Sequence, residues 1–316
     1  MGRLQLFTIQ MDNPYGVYTS GQRLQGNVLV HLNADLQLKG IRVTLVGGAS
    51  VYWTETTGTG DSQKTDSYSA KEDYFNVKLT LLGKSPGQSG DDLILPAGHH
   101  AYPFSMQLPE GLPASFEGGI GSVRYFAKAT VDRPGRPNYK TKCAFTVVST
   151  LDLNTQENAM MSFTQSKQKT LCCLCCRSGP ISATLSIPRL GYVPGESIPI
   201  FAEITNLSDR SINCSKVELV QSTEFHATFK TETRHKKIAS TKKGKISVGG
   251  SEIWSGEVLE IPPVPPSYLP GCKIIEIHYL LKLVVEPSGA STSLVIPVEI
   301  VIGTIPLRDA FQQPAS

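Results

Sequence analysis

The chain has 316 residues, long enough for two independent cores. With 40% hydrophobic and 18% charged residues it lacks the apolar depletion of a disordered chain, so both cores are expected to fold. A formal net charge of +3 is too small to make nucleic acid the main partner, and any electrostatic contact must come from local clusters.

The first residues, Met1-Gly2-Arg3-Leu4-Gln5-Leu6-Phe7-Thr8-Ile9, alternate as a strand does and have neither the apolar run nor the cleavage site of a signal peptide. Gly2 makes no myristoylation motif, because Leu6 stands where Ser or Thr is required. Val28/Val30/Leu32 and Ile41/Val43/Leu45 then recur with period two, the pattern of strands with one buried face. Turn clusters follow at Ser85-Pro86-Gly87 and Arg133-Pro134-Gly135. Between them Pro103 and Pro109 bracket a short strand over residues 104–108. Gly118-Gly119-Ile120-Gly121 reads as a turn whose glycines permit positive φ. Residues 152–180 are polar and end in a cysteine run, the expected domain boundary. Alternation resumes, clearest in Ile275/Ile277/Tyr279/Leu281/Leu283. The stretch 294–302 is the most apolar but is too short to span a bilayer and is interrupted by Pro297 and Glu299. No long stretch has the helical period of 3.6, so the predicted class is all-β, with short antiparallel strands in sandwiches.

The chain also repeats itself. Residues 17–24 (Val-Tyr-Thr-Ser-Gly-Gln-Arg-Leu) align with 191–198 (Gly-Tyr-Val-Pro-Gly-Glu-Ser-Ile) at a shift of 174 (192 − 18), and the same shift brings Val43-Thr44-Leu45 onto Val217-Glu218-Leu219. Arg124-Tyr125 aligns with His278-Tyr279 at a shift of 154 (279 − 125), so the second copy has a shorter middle. A tandem of two related sandwiches is predicted: residues 1–155, a linker at 156–178, a second domain at 179–304 and a short tail at 305–316.

At this point the sequence resembles the arrestin-domain-containing proteins, or α-arrestins. The resemblance rests on Leu95-Pro96-Ala97-Gly98-His99-His100-Ala101-Tyr102-Pro103-Phe104, Pro113-Ala114-Ser115-Phe116-Glu117-Gly118, Gly191-Tyr192-Val193-Pro194-Gly195-Glu196, Ile261-Pro262-Pro263, Pro270-Gly271-Cys272 and Val301-Ile302-Gly303-Thr304-Ile305-Pro306-Leu307. It implies two arrestin-like, immunoglobulin-type β-sandwiches. It also implies a non-enzymatic, cytoplasmic adaptor, peripheral to plasma membrane and endosomes, that joins cytoplasmic tails of membrane proteins to WW-domain HECT ubiquitin ligases for ubiquitination and endocytosis. A ligase-independent scaffold in endosomal sorting or signalling is the competing expectation. The adjacent basic residues that the first strand of visual and β-arrestins uses to sense phosphate have no counterpart in Leu6-Phe7-Thr8-Ile9-Gln10-Met11.

Three features are candidate sites. Pro265-Pro266-Ser267-Tyr268 matches the PPxY motif that WW domains grip as an extended polyproline helix, although it falls in a loop of the second sandwich. Cys172, Cys173, Cys175 and Cys176 read as metal ligands, a redox-active linker, small buried hydrophobes or palmitoylation sites. Metal is disfavoured because no second CxxC or His pair accompanies them, and palmitoylation suits an adaptor of membrane cargo. Lys230, Arg234, Lys236, Lys237, Lys242, Lys243 and Lys245 share one segment with a single acid, Glu232. They would meet anionic lipid or acidic cargo, or else simply solvate a hairpin edge. His99 and His100 point to opposite strand faces and make no metal pair, and Asp91-Asp92 reads as solvated loop. With no G-x-S-x-G, P-loop, H-E-x-x-H or kinase pattern, no catalytic residue, cofactor or metal is predicted.

Overall fold

A computed structural model describes residues 3–85, 88, 91–173, 176–289 and 291–308. Among them are strands and two 3-10 turns, Gly60–Ser62 and Leu153–Thr155, and no α-helix. The chain divides into two compact units: Met1–Ser149 with Phe225–Thr231 and Leu269–Ile275, and the remainder.

The first unit holds β1 (Leu4–Met11), β2 (Val17–Thr19), β3 (Arg23–Leu32), β4 (Leu36–Leu38), β5 (Gly40–Thr57), β6 (Lys64–Gly83), β7 (Leu93–Leu95), β8 (Gly98–Gln107), β9 (Phe116–Glu117), β10 (Gly121–Asp132) and β11 (Tyr139–Val148). One sheet is ordered β1-β3-β8 and a larger one β2-β11-β10-β5-β6, with β9 beside β10 and a small β4-β7 ribbon. Alternation places Val28, Val30, Ile41, Val43, Tyr125 and Ala127 in the core, each at most 2% exposed. β8 begins at Gly98 and runs through Pro103, longer than the strand expected over 104–108, because it lies at a sheet edge where the missing N–H disturbs no ladder.

The second unit is built from β12 (Phe163–Cys173), β13 (Cys176–Ile187), β14 (Gly191–Tyr192), β15 (Ser197–Asn206), β16 (Ile212–His226), β17 (Thr231–Lys242), β18 (Ser251–Glu260), β19 (Ile275–Pro287) and β20 (Leu294–Ile302). Its sheets run β12-β13-β15-β18 and β14-β20-β19-β16-β17. Residues 156–178, expected to link the domains, instead contain β12 and the start of β13. Thr164 pairs with Ser186 at 2.9 Å and Ser166 with Thr184 at 2.8 Å, so the polar composition that suggested a linker forms the hydroxyl ladder of an edge strand. Leu151 and Leu153, expected to close the first domain, bury in the second unit with Ala159, Val301 and Leu307. Leu307 is 3% exposed and Ile305 pairs with Asp152, so the expected tail starts inside the fold.

The repeat is legible atom by atom. β2 pairs in parallel with β11, and β14 in parallel with β20. After each comes a turn with glycine at positive φ, Gly21 at 74° and Gly195 at 89°. Thr19 N–H donates to Gln22 Oε1, and Val193 N–H, at the shift of 174, donates to Glu196 Oε2, both at 2.9 Å. Tyr125 and Tyr279 each donate their hydroxyl at 2.7 Å to a proline carbonyl upstream, Pro113 and Pro265.

The glycines at 118, 119 and 121 do not take positive φ, contrary to expectation. Gly121 is required by close approach: a Cβ there would stand 2.7 Å from the Phe225 ring and 2.8 Å from Val51. Gly121→Ala is expected to lower the stability of the first unit by about 1–3 kcal/mol, the range for overpacked cores, read by urea titration.

Candidate functional site

The Pro265-Pro266-Ser267-Tyr268 segment is scaffold. Pro266 and Ser267 are buried, the latter 1% exposed. Ser267 N–H donates to Ile302 O, and Ile302 N–H donates back to Ser267 Oγ, both at 2.9 Å. Tyr268 takes φ of 70°, outside the polyproline region, and donates its N–H to Ile277 O at 2.7 Å. Its ring packs on the Leu151/Leu153/Val301/Leu307 cluster and edge-on to His278 at 5.7 Å. WW recognition needs exposed proline rings on an extended backbone, so the predicted WW site at Pro265, Pro266 and Tyr268 is corrected: the folded chain does not present it. Ser267→Ala would orphan the buried Ile302 N–H and is expected to cost about 1–3 kcal/mol, measurable by urea unfolding.

The candidate lipidation sites lie outside what is described: Cys175 altogether, and the side chains of Cys172, Cys173 and Cys176.

The seven basic residues do not form one uniform patch. β17 is the edge of its sheet, and Arg234, His235, Lys236 and Lys237 stand exposed in succession along it. Arg234 pairs with Glu232 at 3.1 Å, Lys237 with Glu218 at 3.7 Å, and Lys230, in the first unit, with Glu55 at 2.5 Å. Lys243 bridges to Glu257, donates to Ile253 O at 2.6 Å and lies over the Trp254 ring, so it is fixed by the sandwich. The exposed remainder is the β17 edge with Lys236, Lys242 and Lys245. The charges are plain in the sequence, but apart from Glu232 their carboxylate partners, Glu55, Glu218 and Glu257, come from other strands.

Carboxylates paired with lysines of the fold set a pH response. Glu55, Glu257 and Glu286 are held below the ordinary carboxylate value, first by hydrogen bonds from Lys230, Lys243 and Lys216 respectively. Their folded pKa values lie below the unfolded ones, so the stabilisation is complete above about pH 4.5 and is lost as pH falls through the folded values. The melting temperature should therefore drop below pH 4.5 less steeply in a Glu257→Gln/Glu286→Gln variant than in the parent.

His99 and His100 do not pair with each other. His99 stacks across strands on His31 at 3.7 Å, while His100 Nε2 meets Pro96 O at 2.9 Å. Asp92 accepts from Gln37 at 3.0 Å in a loop.

Comparison with known proteins agrees with this architecture. The family model described as "Arrestin (or S-antigen), N-terminal domain" matches residues 7–154, and "Arrestin (or S-antigen), C-terminal domain" matches 177–307. Human arrestin domain-containing protein 4 is 35% identical over 298 residues, covering 93% of this chain and 70% of that protein. Arrestin domain-containing protein 17 of Caenorhabditis elegans is 33% identical over 316 residues, 97% and 72% respectively. Human thioredoxin-interacting protein is 30% identical over 303 residues, 96% and 75%.

Proposed function

The chain belongs to the arrestin-domain-containing family, and from that membership we propose that it is a non-enzymatic adaptor which holds cytoplasmic tails of membrane proteins along the β17 edge. One observation carries the choice of edge. β17 ends its sheet and displays Lys236 between Arg234 and Lys237, whose exposed pairs with Glu232 and Glu218 a tail carboxylate can replace, so an acidic extended tail gains a ladder and charge pairing together. Among the described residues no helix is long and apolar enough to cross a membrane, in keeping with an adaptor that meets its cargo at the membrane surface.

Recruitment of WW-domain HECT ligases, which would couple cargo to ubiquitination and endocytosis, needs a WW ligand other than residues 265–268. The burial of that motif favours the second reading, a ligase-independent scaffold in endosomal sorting or signalling. An array of cytoplasmic-tail peptides probed with the full chain and with Arg234→Gln/Lys236→Gln/Lys237→Gln tests the adaptor reading. Capture of acidic tails by the parent, reduced at least tenfold in the variant, is the expected outcome. No captured tail, or equal capture by both, would refute it.

A further inference from the structure

A second charged surface lies on the larger sheet of the first unit, and neither composition nor local charge density announces it. Tyr125, Ala127, Ala129 and Val131 of β10 point inward, leaving Arg124, Phe126, Lys128 and Thr130 on the outer face. Strand register then sets Lys142 of β11 directly opposite Lys128, Lys128 opposite Thr44 of β5, and Thr44 opposite Lys78 of β6. Three lysines thus stand in one row across four strands, roughly 14 Å from end to end. In the next row Lys140 lies opposite Thr130, and three rows to the other side Lys71 lies opposite Ser50.

Seven cations (Arg42, Lys71, Lys78, Arg124, Lys128, Lys140, Lys142) against three carboxylates (Asp73, Glu117, Asp132) leave this face at 7 − 3 = +4. Two of the carboxylates are taken by the arginines: Glu117 accepts two bonds from Arg124 at 2.7 Å, and Asp132 pairs with Arg42 at 3.0 Å. Among the described residues the five lysines have no ion pair, and Lys142 rests over the Phe126 ring at 3.5 Å. Like charges directly opposite on neighbouring strands weaken a sheet, so Lys128 facing Lys142 burdens the fold.

From this charge pattern we infer that the outer face of the larger sheet lies against the anionic phospholipid surface of a bilayer. The observations favour a membrane over an acidic peptide. The only planar forks able to grip a carboxylate or phosphate in register, Arg42 and Arg124, are already occupied, and what remains is lysine, a hydrated point charge suited to a diffuse anionic surface. β10, β5 and β11 each have strands on both sides, so the centre of this face offers no free edge to an added strand, and the sheet ends only at β2 and β6. Two amphipathic rings flank the lysines: Tyr52, 60% exposed on the same side of β5, and Tyr15, 88% exposed at the rim of an open cleft of about 360 Å³ lined by Arg124, Phe126 and Lys142.

The inference rests on the adaptor reading for its purpose but uses a different surface, so each fails separately. Full chain is sedimented with vesicles of phosphatidylcholine alone and of phosphatidylcholine with phosphatidylserine, in low and in 0.5 M salt. Binding is expected only to the anionic vesicles and only at low salt, where charges are not screened. Each lysine near such a surface contributes about fivefold, so Lys78→Gln/Lys128→Gln/Lys142→Gln should lose on the order of a hundredfold, while the β17 triple variant binds as the parent does. Lys128→Gln alone should melt about 1–3 °C higher, as relief of like-charge opposition requires and loss of a structural contact does not. Equal binding to both vesicle types, unchanged binding by the lysine variant, or a lowered melting temperature for Lys128→Gln would overturn the inference. So would a parent that ignores vesicles yet binds polyglutamate through the same lysines.

Discussion

A synthetic peptide copying residues 260–272 is expected to bind an isolated WW domain, and the folded chain to do so more than about a thousandfold more weakly. Presenting Pro265, Pro266 and Tyr268 requires breaking the two Ser267–Ile302 bonds, the Tyr279–Pro265 bond and the Tyr268 packing, and rotating Tyr268 from φ of 70° into the extended region. An opening that costs about 5 kcal/mol leaves only some one molecule in several thousand competent, and apparent affinity falls by that fraction. Titration of a labelled WW domain with peptide, folded chain and urea-unfolded chain measures the three affinities side by side. Folded chain within tenfold of the peptide would mean that the motif is displayed after all. A Tyr268→Ala variant does not decide the matter, because removing the ring opens a gap beside Leu151, Leu153, Val301 and Leu307 and loosens the fold around the motif.

Tyr125→Ala and Tyr279→Ala should each cost about 3–5 kcal/mol, the most damaging single changes foreseen, since each removes a ring at most 1% exposed from the middle of its own sandwich. The corresponding phenylalanine variants keep the rings and lose only the hydroxyl. Tyr125→Phe leaves the Pro113 carbonyl without its donor and should cost about 1–3 kcal/mol. Tyr279→Phe should cost more than Tyr125→Phe, because Gln221 Nε2 also donates to the Tyr279 hydroxyl at 3.0 Å and is left buried and unpaired. Urea unfolding of the four variants gives the order Tyr125→Phe, then Tyr279→Phe, then the alanine pair. A reversed order of the phenylalanine variants would contradict the hydrogen-bond assignment.

Period-two alternation is enough to identify both sandwiches and several of their strands, because burial on one face leaves a mark on every second residue. The repeat was visible for the same reason: Gly21 and Gly195, Tyr125 and Tyr279 perform the same task in both copies. What the sequence hid depends on register. Lys128 and Lys142 are fourteen positions apart and gain significance only when β10 and β11 set them face to face. His99 similarly found its partner in His31, on another strand. The 163–173 stretch has linker composition, yet its hydroxyls pair with those of β13. The PPxY letters are present, but accessibility is a tertiary property, and the carbonyl of Pro265 and hydroxyl of Ser267 are used by the fold.

The adaptor account is tested most directly by hydrogen exchange on the full chain with and without the tail peptide that binds it best. The account predicts slowed exchange in the β17 amides between residues 232 and 242, and loss of that protection in Arg234→Gln/Lys236→Gln/Lys237→Gln. Exchange along β17 that is the same with peptide bound as without it would contradict the account.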